Sequence, residues 1–113
     1  MAVMDNNPKF EQVLVAGAFV LDSSTDRVYT FRSEMLQLDP IEFKTLWYLA
    51  VRENVYQPFN KIYKAVWDNG EGTGRREEAL KTIKNVTERI NTAGCGFAWI
   101  DHNASLGYAY RIR

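Results

Sequence analysis

The sequence is short of several things, and each shortage excludes a class of protein. It has one cysteine, Cys95, so a small fold stapled by internal disulfides is excluded. It has one histidine, His102. Together these two lack the third ligand a zinc site needs, so no metal or other cofactor is implied. The longest apolar run free of charge, QVLVAGAFVL at residues 12–21, falls well short of the roughly 20 residues that cross a membrane. No membrane partner is therefore expected. The opening MAVMDNNPKF does not follow the basic, apolar, small-residue order of a secretory signal, so we expect a cytoplasmic protein. Catalytic groupings are missing as well. Asp22, Asp26 and Glu34 fall in turns, and Cys95 and His102 have no orienting partner, so the chain does not read as an enzyme. Gly70, Gly72 and Gly74 are not followed by Gly-Lys-Ser/Thr and make no phosphate loop.

What is present suits one domain over residues 1–113, with 46% hydrophobic and 25% charged residues. Net charge is zero, yet the charges are unevenly placed. Residues 1–42 carry three basic and seven acidic side chains, whereas residues 43–113 carry eleven basic and seven acidic. That asymmetry points to a polyanion site in the second half.

The first third, residues 9–39, reads as a short-stranded antiparallel meander. EQVLVAGAFVLD is Val- and Phe-rich, with Gly17 marking a bulge or break; DSSTD is a turn, and RVYTF and MLQLD follow as strands. Asp39, Pro40 and Glu42 then form a helix start with a capping box, and Phe43, Leu46, Trp47 and Ala50 make its core stripe. Pro58 starts a second helix with Ile62, Tyr63, Val66 and Trp67 inward. DNGEGTG (68–74) is a loop. In RREEALKTIKNVTERI (75–90), steps of roughly 100° place Leu80, Ile83, Val86, Thr87 and Ile90 on one side, with Ala79 at the margin. The other side carries Glu77, Glu78, Lys81, Lys84, Asn85, Glu88 and Arg89. Gly94 lies near the end of this third helix, completing a three-helix core over 40–94. Residues 97–113 read as a hairpin with HNAS (102–105) as its turn. Phe43, Trp47, Tyr63, Trp67, Phe97 and Trp99 follow helix or strand spacing, which makes them core and not a platform for stacked bases.

Strands, three helices and a hairpin in that order form an α+β winged-helix arrangement, in which the third helix can enter the DNA major groove. From Val13 to Ile112 the chain resembles the DNA-binding effector domain of OmpR/PhoB-type response regulators. LDPIEF is similar to that family's Leu-Thr-x-x-Glu-Phe and IYKAVW to its Leu-x-x-x-Val-Trp. The spacing of Ile83, Val86 and Ile90 follows its third helix, and LGYAY resembles a wing ending in Gly-Tyr. The departures fall on the contact positions. Leu80 and Lys81 stand where the family has an acidic then an apolar residue, Thr87 replaces an arginine, and His102, Asn103, Ala104 and Ser105 replace Thr-Val-Arg-Gly. The scaffold is matched and the contact set is rewritten.

The resemblance implies a transcription regulator of a two-component type, bound to double-stranded DNA as a dimer, with residues 75–91 in the groove. Lys81, Thr82, Lys84 and Asn85 would meet base edges, and Arg75, Arg76 and Arg89 phosphates. His102 and Asn103 sit at the wing tip. The 68–74 loop resembles the segment that touches RNA polymerase. Without the resemblance, Glu77–Lys81 and Lys84–Glu88 are ordinary i,i+4 pairs on a solvated face. The competing expectation is a winged helix used for protein contact, showing an exposed apolar patch around Tyr56 and Phe59.

Overall fold

A computed structural model describes residues 13–67 and 76–113. Arg75 and the 68–74 loop, both singled out above, lie outside the described residues.

Strands β1 (Val13–Ala16), β2 (Phe19–Asp22), β3 (Arg27–Thr30) and β4 (Met35–Leu36) form an antiparallel meander in that order. The single apolar run at its start is two strands. Ala16 pairs with Phe19 across a two-residue turn in which Gly17 takes φ +63, and any side chain on Gly17 would run into Ile112. The next turn is held by the Asp22 carboxylate, which accepts from the Ser24 N–H at 3.0 Å and its hydroxyl at 2.6 Å. The Ser24 hydroxyl is the main reason the Asp22 pKa is lowered. Strand alternation puts Leu14, Leu21, Val28 and Leu36 in one row facing the helices.

Helix α1 (Pro40–Ala50) begins as its sequence says. The Asp39 carboxylate accepts from the Glu42 N–H and Glu42 accepts from the Asp39 N–H, each at 3.0 Å. Pro58 is the extended cap residue of α2 (Phe59–Val66), just before its first turn. Helix α3 runs from Arg76 to Ala93, with Gly94 directly after it. The hairpin is β5 (Ala98–Asn103) and β6 (Gly107–Ile112), so its turn is 104–106, beginning two residues later than the HNAS reading. The cause is Asn103, whose side-chain oxygen accepts from the Ser105 and Leu106 N–H groups at 2.8 and 2.9 Å and fixes the turn after itself.

The core gathers Phe19, Leu21 and Val28 of the sheet, Phe43, Leu46 and Leu49 of α1, Ile62 and Trp67 of α2, Ile83, Val86 and Ile90 of α3, and Ile100 and Tyr110 of the hairpin. Two expected core residues are outside it. Leu80 is 45% exposed and Ala79 takes the buried slot instead. Phe97 precedes β5, where alternation turns Ala98 and Ile100 inward. Its exposed ring packs edge-on against Phe31 at 5.8 Å. Phe43 and Trp67 are buried, while Trp47, Tyr63 and Trp99 are half-buried.

Candidate nucleic-acid interface

Ala79, Ile83, Val86 and Ile90 repeat every three or four residues and are fully buried, which fixes how α3 rolls on the core. Glu77, Leu80, Lys81, Lys84, Asn85 and Glu88 are thereby turned to solvent, and Thr82 is half-buried at the edge of that face. Lys81, Lys84 and Asn85 are thus brought together on one outward surface.

The two described arginines of α3 are already engaged. Arg76 donates to the Asn60 side chain at 2.9 Å, and its guanidinium lies over the rings of Phe59 (4.8 Å) and Tyr63 (5.4 Å). It fastens the start of α3 to the first turns of α2. Arg89 donates to the Gln37 carbonyl, tying the far half of α3 to the end of the sheet.

The hairpin is fixed to the helix by Asn91. Its amide donates to the Ile100 carbonyl at 3.2 Å and accepts from the Ile100 N–H at 2.7 Å. On the hairpin's other edge, the connection between α1 and α2 makes a single antiparallel bridge. Gln57 and Tyr108 exchange backbone hydrogen bonds at 2.7 and 2.9 Å, and the Asn54 N–H donates to the Tyr110 carbonyl at 2.7 Å. Gly107 lies against Gln57 with φ +106, the only kind of residue that this close approach admits. His102 is exposed at the hairpin's outer end, its ring stacked on Tyr108 at 4.3 Å and 7°. Asn103 serves the turn. Tyr56 donates to the Asp101 carboxylate, a bond that holds its phenol pKa above the ordinary value. Tyr56 and Phe59 are half-buried in these contacts.

No protein-family model matches the chain, and no curated protein matches it in sequence. Solved structures do match. The DNA-binding domain of CpxR from E. coli aligns with 88% of this chain and 96% of its own, at 18% identity and TM-score 0.69. The DNA-binding domain of RstA from Klebsiella pneumoniae, solved in complex with the RstA box, covers 88% and 97% at 18% identity and TM-score 0.67. DrrB of Thermotoga maritima, an OmpR/PhoB homolog, is similar over 96% of this chain and 51% of its own, at 16% identity and TM-score 0.74. The fold is a winged helix. In this winged helix α2 and α3 are the helix pair and β5–β6 is the wing, and Arg76, Asn91 and Gln57 hold the three together. Sequence reasoning missed these braces. The one signal for them was Gly107 beside Tyr108, a glycine that makes sense only if another backbone lies against it.

Proposed function

We propose that this chain is a sequence-specific double-stranded DNA-binding domain of a transcription regulator, working in the cytoplasm, with α3 in the major groove and the wing on the adjacent backbone. The observation that supports this reading most is the shared fold with the RstA domain solved on its own DNA box. Lys81 and Lys84 suit guanine and Asn85 suits adenine, each of which offers paired groups in the groove. Thr82 can reach a base or sugar from the edge of the same face. Arg76 opens α3, where phosphate is favoured, and Arg75, which precedes it in sequence, is assigned to phosphate in the same proposal. Arg76 does so while bracing α2, and Arg89 and the wing residues His102 and Asn103 lie toward the flanking backbone.

One small module buries only roughly 600–1,000 Å² on DNA, so we expect two copies on repeated half-sites. Contact with RNA polymerase through residues 68–74 belongs to the same proposal. A second reading, protein contact without DNA, draws support from the exposed Phe31–Phe97 pair, which lies outside the α3 face.

A fluorescence-anisotropy titration with a randomised duplex pool at two salt concentrations decides between them. Binding that weakens steeply with salt and enriches a repeated motif on selection is expected. No binding at about physiological salt and tens of micromolar protein removes the DNA reading and leaves the protein-contact one.

A further inference from the structure

Among the described residues, Leu80 is the one large apolar side chain of α3 that does not enter the core. Its surroundings on the helix are charged. Glu77 and Lys84 lie one turn before and after it and Lys81 beside it, all exposed. An aliphatic group in such a face is hydrated at a cost unless something apolar covers it. Resting on the DNA-binding reading above, we propose that Leu80 is a specificity-determining residue that reads thymine, its branched end packing on the thymine 5-methyl group.

The major groove offers one apolar feature to a side chain, and that is this methyl; the other base-edge groups are hydrogen-bond donors and acceptors. Apart from the exposed Lys81 and Lys84, the charged side chains of α3 offer little to a base edge. Arg76 is engaged by Asn60 and two rings and Arg89 by the Gln37 carbonyl, and Glu77 and Glu88 oppose phosphate. An apolar contact therefore carries a larger share of base reading here than it does on a strongly basic helix. Leu80 also lies in the amino-terminal half of α3, the part of a groove helix whose residues meet base edges.

Uracil differs from thymine only in lacking that methyl, so the test is a scan of the selected duplex with each thymine replaced singly by uracil. Wild-type affinity should fall about fourfold at one position in each half-site, the effect of one lost methyl contact. Leu80→Ala, an exposed substitution to the best helix former, should bind with no loss at that position, and Leu80→Met should restore the loss. A flat wild-type scan, or the same loss in Leu80→Ala, overturns the assignment while DNA binding stands. Absence of salt-dependent binding to any duplex overturns the DNA reading and Leu80 with it.

Discussion

Gly107 has φ +106 and lies against the backbone of Gln57, where a methyl group would meet the Gln57 carbonyl. A side chain is therefore excluded both by its own backbone angle and by its neighbour. Gly107→Ala should cost at least about 1–3 kcal/mol in urea unfolding and loosen the wing from the α1–α2 connection. Lys81 and Lys84 are the opposite kind of residue, exposed and without a part in packing. Replacing both by Ala should leave the urea midpoint in place while DNA affinity falls tenfold or more, about 1.4 kcal/mol, and the salt slope shrinks by about one for each lysine that touched phosphate. Unchanged affinity would show that α3 is not the groove helix. At this scale Leu80 was the position misread from sequence. Its size suggests burial, but at about 100° per residue Ala79 falls within the stripe of Ile83, Val86 and Ile90, and Leu80 lies a quarter-turn or more outside it. Helical phase, and not the size of the side chain, decides which of the two is buried.

The elements themselves were legible wherever local chemistry decides them. Asp39, Pro40 and Glu42 announce the start of α1, and the reciprocal bonds of the capping box are present. Asp39→Ala removes the acceptor for the Glu42 N–H and should lower stability by about 0.5–2 kcal/mol without altering the fold, as an unfolding midpoint shift at unchanged slope. Boundaries were less legible where a single side chain redirects the backbone. Asn103 moves the wing turn outward by accepting two backbone bonds, and sequence alone cannot distinguish an asparagine inside a turn from one that precedes it. Phe97 looked like a strand residue pointing inward because the register of β5 is set by the turn after α3, where Cys95 and Gly96 both take positive φ. The candidate site divides in the same way. Its outward residues followed from helical period, whereas the braces at Arg76, Asn91 and Gln57 join separate elements and left no periodic trace.

Across the whole molecule, one side chain joins the first hairpin to the last. The buried Tyr110 hydroxyl donates to the Ala16 carbonyl at 2.6 Å, between positions 94 residues apart. Tyr110→Phe leaves that carbonyl without its partner and should cost about 1–3 kcal/mol. Burial, with the Glu53 charge adding to it, holds the Tyr110 phenol pKa well above the ordinary value of 10.0. The folded state keeps its proton where the unfolded chain releases it, so this contribution to stability is complete below about pH 10 and is lost as pH climbs toward the raised value. Unfolding free energies measured across that alkaline range should fall more gently in Tyr110→Phe than in wild type. They should not become flat, because the Tyr56 and Tyr108 pKa values are raised as well. The same bond has a consequence for synthesis. A ribosome adding 5–20 residues each second needs roughly 5–20 s to pass from Ala16 to Tyr110. Throughout that interval Phe19, Leu21 and Val28 belong to a nascent sheet whose covering helices and closing tyrosine are incomplete. The growing chain is then a client for any chaperone that binds exposed aliphatic segments, and slowing translation between these two positions should lower its soluble yield.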